Sequence, residues 1–211
     1  MLLAATLTLS FACSDPIDDP NTEQGGNNNG GNENDNGNET ATHKAGDYYK
    51  KGLAEGIVAY VDETGEHGLI ISLDETRAKW STEHHMLTVM GGEFSMEDGA
   101  INSAYIRTQD NWADLFPAFE WCHAKNALGL SSWYLPATYE MALVHQNIEA
   151  VNAGLEAQGA ETIACGAGDL YWTSVEIGVQ AAYCFSFNTG EISSYDTDKF
   201  NEHRVRAIRK F

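Results

Sequence analysis

Runs of apolar and β-branched residues near the start of the folded region predict a pair of strands. Residues 55–61 and 68–73 are two such runs, and the polar segment between them contains Gly65. Glycine reaches positive φ without a steric penalty, so it suits the tight turn between adjacent antiparallel strands. The pattern therefore predicts a β-hairpin over residues 55–73.

Apolar residues recur with helical spacing in the middle of the chain and predict two helices. The first covers residues 111–128 and is expected to stop at Gly129, while Pro117 favours a later first turn. The second is expected to take Thr138 as its N-cap. Its pattern leaves open whether residues 148–158 continue this helix or restart it.

Strand-like segments return after the helices. They are residues 170–175, 181–188, 191–195 and 205–211, with a turn at 188–190. Residues 81–102 show weak patterning and are predicted to be an irregular loop. The order of strands, helices and strands is typical of an α+β domain. The last strand is expected to pair with the first hairpin, which would bring the two ends of the domain together.

A short apolar segment, Met1–Ala12, precedes Cys13 and is typical of a lipoprotein signal peptide. In such proteins the cysteine sulfur receives a diacylglycerol chain that anchors the protein to a membrane. The alternative is a buried core segment with a chance cysteine. Residues 13–45 favour the lipoprotein, because they are rich in Asn, Gly and Asp and cannot bury enough apolar area to fold. We therefore predict a signal peptide over 1–12, a flexible tether over 13–45 and one domain over 46–211.

Three acids that closely follow the predicted lipidation site suggest where the protein resides. Asp15, Asp18 and Asp19 resemble the acidic stretch of surface-exported lipoproteins of the Bacteroidetes type. That resemblance implies a lipid-anchored protein on the outer face of an outer membrane. The alternative is that these acids only keep the tether soluble.

The charge balance excludes two classes of protein. The chain has 31 acids and 12 Lys or Arg residues, a net charge of −19, and residues 46–211 keep 24 acids against 11 bases, or −13. A chain this acidic repels phosphate backbones, so nucleic-acid binding through a basic patch is excluded. No apolar run reaches the roughly 18–20 residues that span a bilayer, so an integral membrane protein is not expected.

Five segments resemble, in order, the Fibrobacter succinogenes major paralogous domain family and the related lectin-like Lcl C-terminal domains. They are Gly56–Leu73, Trp133–Met141, Leu170–Glu176, Ala182–Ile192 and Arg204–Phe211. The chain departs from the family at Tyr134, where Arg is usual, and at Val175, where a second Ser is usual. The resemblance implies a C-type-lectin-like fold with small twisted antiparallel sheets, two main helices and long loops. It also implies surface attachment or carbohydrate binding.

The sequence lacks the motifs of the familiar metal and catalytic sites. Calcium-dependent lectins use Glu-Pro-Asn or Gln-Pro-Asp with Trp-Asn-Asp, because calcium takes six to eight oxygen ligands. Neither triplet occurs, and Trp112-Ala-Asp114 lacks the middle amide. The histidines lack zinc spacing, and no nucleophile or phosphate-loop motif is present. No metal, cofactor or enzymatic activity is therefore expected.

Aromatic residues and a dense acidic loop are the candidate ligand-binding groups. Trp133, Tyr134 and Trp172, with neighbouring Tyr171, could stack on sugar faces or could instead form core. Asp196 and Asp198, near Asn201 and Glu202, could bind a ligand or a hard cation, or could belong to a solvated loop. Both pairs of alternatives remain open from the sequence.

Three cysteines remain if Cys13 carries lipid. Cys122 and Cys184 lie on predicted core faces and are expected to be buried thiols, and Cys165 is the most exposed candidate. An odd number leaves at least one thiol outside any disulfide within the chain. Their disulfide state and the oligomeric state of the protein are left open.

The sequence therefore predicts a surface lipoprotein with a non-catalytic domain that binds a glycan or a protein, in adhesion or capture. The first alternative is a structural or assembly subunit of a surface complex. The second is an enzyme of unrecognised type.

Overall fold

Two β-sheets and five helices make up the part of the chain that the computed structural model describes, which is residues 42–87, 94–126, 132–193 and 195–211. The strands are β1 Tyr48–Lys51, β2 Ala54–Val61, β3 Gly68–Ile71, β4 Thr76–Lys79, β5 Tyr171–Glu176, β6 Ala182–Ser186, β7 Glu191–Ser193, β8 Glu202–Val205 and β9 Ile208–Lys210. The helices are α1 Gly99–Ile106, α2 Trp112–Leu115, α3 Pro117–Ala124, α4 Thr138–Gln146 and α5 Ile148–Ala157. The α+β class is confirmed. The predicted signal peptide, Cys13, Gly129 and all of the tether before residue 42 lie outside the described residues.

The first sheet contains the predicted hairpin and has the order β1-β2-β3-β9. Strands β2 and β3 pair antiparallel, and Gly65 in the turn has φ of 78°. The Asp62 carboxylate accepts hydrogen bonds from Thr64 N and Gly65 N and fixes this turn. Strand β9 pairs with β3, so the expected pairing of the C-terminal strand with the hairpin is confirmed. The His43 ring lies 5.2 Å from that of Phe211, which places the two described chain ends side by side.

The second sheet has the order β4-β8-β5-β6-β7 and corrects two expectations. Strands β5 and β8 run parallel, so the sheets are not purely antiparallel. The single strand predicted over 205–211 is two strands, one in each sheet, with Arg206 and Ala207 between them. Ala207 exchanges hydrogen bonds with Ser72, and the Arg206 side chain turns inward, so the chain crosses from one sheet to the other at this point.

The helices differ from the prediction in number and in their limits. The described part of the segment predicted over 111–128, which is residues 111–126, contains two helices, α2 and α3. Pro117 is the first residue of α3, as its fixed φ favours. Helix α1 lies within the region predicted as a loop. Its buried face includes Gly99, Asn102 and Ser103, so it lacks the apolar stripe by which a helix is recognised.

The second predicted helix also begins and continues differently. The N-cap of α4 is Ala137, one residue before Thr138, and the cap hydrogen bond comes from the Glu140 carboxylate, which accepts from Ala137 N at 2.8 Å. The helix restarts rather than continues, because Asn147 has a non-helical backbone and its amide donates to Ala59 O.

A buried cluster of charged side chains stabilises the crossover between the sheets at Arg206 and Ala207. The Glu75 carboxylate accepts hydrogen bonds from Arg204, Arg206 and the Tyr171 hydroxyl. Arg206 also donates to Ser72 O and Glu161 O, so its fully buried guanidinium has partners on three segments. Paired in this way, buried charges hold specific segments together although their net contribution to stability is small.

A second buried carboxylate, Glu140, joins three segments. It accepts hydrogen bonds from Gly99 N, Ala137 N and the Tyr134 hydroxyl. Burial raises the pKa of Glu140 more than these donors and Lys210 lower it. The folded state therefore holds the Glu140 proton more firmly than the unfolded chain does. The resulting stabilisation is complete below the unfolded pKa of about 4.3 and is lost as the pH rises through the folded pKa.

We expect the difference in the free energy of unfolding between the wild type and the variant Glu140→Gln to shift in favour of the variant as the pH rises. Gln keeps an oxygen for the two backbone N–H groups but cannot ionise. The free energy of unfolding of both proteins, measured by urea denaturation from about pH 4 to 8, should show the wild-type advantage shrinking over this range. A constant difference would contradict the assignment of Glu140 as the titrating group.

Candidate functional site

The predicted aromatic ligand residues are core side chains. Trp133, Tyr134 and Trp172 are all buried, and Trp172 exposes none of its surface. The Trp172 indole donates to Ala78 O at 2.9 Å, and the neighbouring Tyr171 hydroxyl donates to Glu75. A ring without exposed area cannot stack on a sugar, so of the two interpretations the burial favours packing.

The predicted acidic residues lie in an exposed loop with defined local contacts. Asp196 has φ of 56°, and its carboxylate accepts from the Asn201 amide at 2.8 Å. Asp198 accepts from Phe200 N and lies 2.9 Å from His84 Nε2. The hydrogen bond from Phe200 lowers the pKa of Asp198, which keeps this carboxyl charged. Both side chains remain about half exposed, at 50% and 47%.

This acidic loop is one of three loops that converge at the second sheet. The loops are residues 84–87, 176–181 and 195–201. Lys199 N donates to Gln180 O at 2.9 Å, and Ala182 N donates to Thr197 O at 3.1 Å. We call the exposed side chains of these three loops the loop surface.

A buried ion pair fixes the three loops relative to one another. The Lys199 ammonium contacts the Glu176 carboxylate, with side-chain exposures of 1% and 3%. Lys199 also donates to His85 O at 2.9 Å and to Val179 O at 3.2 Å, while Glu176 accepts from Leu87 N. Burial lowers the pKa of Lys199 and raises that of Glu176, so each charge depends on the other. One pair therefore joins all three loops.

Five large apolar side chains of these loops are exposed to solvent. They are Met86 at 63%, Ile177 at 42%, Val179 at 49%, Tyr195 at 82% and Phe200 at 40%. The Phe200 ring stacks on His84 with centroids 3.7 Å apart, so its orientation is fixed. Exposed apolar side chains that are concentrated on adjoining loops favour an interaction surface.

Sequence reasoning identified the acids of the loop surface but not its apolar residues. Met86 is followed by the apolar Leu87, and Ile177 and Val179 continue the alternation of strand β5, so nothing in the sequence marks these residues as exposed. Their convergence depends on Lys199 and Glu176, which are 23 positions apart in the chain. One signal in the sequence could have located these residues. It is the presence of residue types that are usually buried in segments otherwise rich in turn residues.

A separate cleft of about 420 Å³ lies beside the end of β9. Tyr60, Leu143 and Phe211 line it, and Lys210 and Glu140 supply charge. Lys210 already binds Asp98 at 2.7 Å, and Glu140 already accepts three hydrogen bonds. These two charged groups of the cleft therefore already have partners within the chain.

Two of the three cysteines among the described residues are in unreactive settings. Cys122 and Cys184 are buried thiols, as expected, and burial raises the pKa of both. Cys165 is half-buried, so it is the most exposed of the three. Across the four described ranges, no group of three or more His, Cys, Asp or Glu side chains could hold a metal ion. No helix within the described ranges has the length and hydropathy that crossing a membrane requires.

Comparison with known proteins identifies a fold but no family. No family model matches the chain, and no curated protein matches it. Its structure is similar to the crystal structure of a fimbrial protein from Bacteroides ovatus, with a TM-score of 0.61 and 18% sequence identity. The match covers 79% of this chain and 48% of the other, so this chain spans about half the length of that protein. At this identity the likeness shows a shared fold.

Proposed function

We propose that this chain is a lipid-anchored protein of the outer cell surface whose domain binds a protein partner without catalysis. The loop surface is the main support for this proposal. It combines exposed apolar side chains with a buried ion pair that joins the loops on which they lie. The predicted lipidation of Cys13 and the acidic residues after it support the location. The fold shared with a fimbrial protein is consistent with a role in surface structures.

The composition of the loop surface favours a protein over a glycan as ligand. Sugars are bound by flat aromatic faces and dense hydrogen-bonding groups, whereas Met86, Ile177 and Val179 are aliphatic. The three aromatic residues predicted to stack on a sugar are buried. We therefore keep glycan binding as the second candidate, supported by the resemblance to the lectin-like family. The C-type-lectin-like arrangement is part of this proposal.

Site-specific photo-cross-linking in the cells that produce the protein tests the proposal. We expect a benzoylphenylalanine in place of Tyr195, on the full chain, to give a discrete cross-linked protein, because this side chain is 82% exposed at the loop surface. The matched control replaces Glu156, an exposed residue of α5, and should give none. Equal products from both positions, or none from Tyr195, would contradict binding at the loop surface.

A glycan array separates the two ligand classes. We expect the full chain to give no signal above that of a chain carrying Val179→Asp, which places a charge in the loop surface. A signal that Val179→Asp abolishes would instead assign the loop surface to a glycan.

A further inference from the structure

We infer that the partner of the loop surface is a basic protein segment that also carries apolar side chains. This inference rests on the proposed function and specifies its ligand. It follows from which charges of the loop surface are already paired, and which remain available.

The cations around the loop surface already have contacts within the same chain. Lys199 is buried against Glu176, and its ammonium does not reach solvent. Lys79 stands opposite Glu202 in the β4–β8 register, and its ammonium lies 5.5 Å from the centroid of the Phe200 ring. The loop surface therefore presents little free positive charge.

Acidic groups at the loop surface keep more of their charge available. The Asp196 carboxylate accepts a hydrogen bond from the neutral side-chain amide of Asn201. The nearest basic nitrogen among the described residues is His203 Nε2, which lies 3.8 Å from Asp196 Oδ2. Glu83, next to the first loop, is exposed and forms no ion pair within the described residues. Around them the domain has a net charge of −13, which attracts cations over a longer range.

Tyr195 and Asp196 together form the binding site for one cationic side chain of the partner. The Tyr195 ring is the most exposed large apolar side chain of the described residues, and the carboxylate of the next residue is half exposed. An Arg or Lys side chain above the ring would gain cation–π attraction and the charge of Asp196. The aliphatic residues of the loop surface would contact apolar side chains of the same segment.

The variant Asp196→Asn removes the charge without disturbing the loop. Asn adopts positive φ readily, so it accepts the backbone conformation that Asp196 has at 56°. Its side-chain oxygen can still accept from the Asn201 amide. The matched control is Glu156→Gln, which removes one exposed charge from α5.

We expect Asp196→Asn to lower the yield of the cross-linked product about three- to tenfold, and Glu156→Gln to leave it unchanged. For this measurement the photo-reactive group is placed at Val179, so that the Tyr195 ring is retained, and the yield should fall as salt is raised. Mass spectrometry of the cross-linked peptide should show a segment with net positive charge. An acidic or uncharged segment, or an unchanged yield in Asp196→Asn, would overturn this inference and leave the proposed function standing. The absence of any cross-link from either position would instead contradict the proposed function.

Discussion

Replacing Lys199 with Met is expected to lower the free energy of unfolding by about 3–5 kcal/mol, the usual cost of removing one partner of a buried ion pair. The Glu176 carboxylate would stay buried, and Leu87 N would be its one remaining donor among the described residues. The carbonyl oxygens of His85 and Val179 would also lose the Lys199 ammonium as a hydrogen-bond donor. Urea denaturation of the full chain measures the loss.

Two further variants separate the ion pair from a general effect of losing a lysine. Lys79→Met removes a partly exposed lysine and should cost under about 1 kcal/mol. The double variant Lys199→Met with Glu176→Leu should recover most of the loss, since replacing a whole buried pair with apolar side chains is often neutral. A loss below about 1 kcal/mol in the single variant would show that the pair does not hold the three loops.

Replacing Cys13 with Ser is expected to remove nearly all of the protein from the outer-membrane fraction. Ser cannot receive the thioether-linked lipid, and stable anchoring depends on the acyl chains. No helix of the described residues offers another way to span a membrane. Fractionation of cells, followed by immunoblotting, gives the measurement.

The matched control for Cys13→Ser is Cys165→Ser, which changes a cysteine of the folded domain. Its distribution between fractions should equal that of the wild type. Protease treatment of whole cells should degrade the wild-type domain if it faces outward. Unchanged outer-membrane association of Cys13→Ser would refute the lipid anchor.

The parts of the fold that were predicted correctly depend on strong local signals. The hairpin has two apolar runs around a glycine turn, and Pro117 begins a helix because its own ring fixes φ. The parts that were missed depend on contacts distant in sequence. Strand β4 is the polar segment TRAK and becomes a strand by pairing with β8. The buried face of helix α1 consists mainly of small and polar residues, so the sequence shows no apolar stripe there.

The candidate site shows the same division. The density of acids in residues 196–202 is visible in the sequence, so this loop was identified. The exposure of Met86 and Val179 is not visible, because it results from the ion pair that orders their loops. The burial of Trp172 depends on the strands on both of its sides, β6 and β8. Composition could suggest aromatic ligands but could not show that those rings are enclosed.

The crossover at Arg206 and Ala207 has a mechanical consequence. The loop surface belongs to the second sheet, whereas His43, near the end of the predicted tether, packs beside Phe211 next to the first sheet. If the domain is anchored and bound as proposed, tension between the partner and the membrane anchor would pass from one sheet to the other. The crossover is a direct covalent link between them, and Glu75 and Ser72 hold it through several hydrogen bonds. The hydrogen bonds of this buried, charged junction therefore lie on a covalent path between the two sheets.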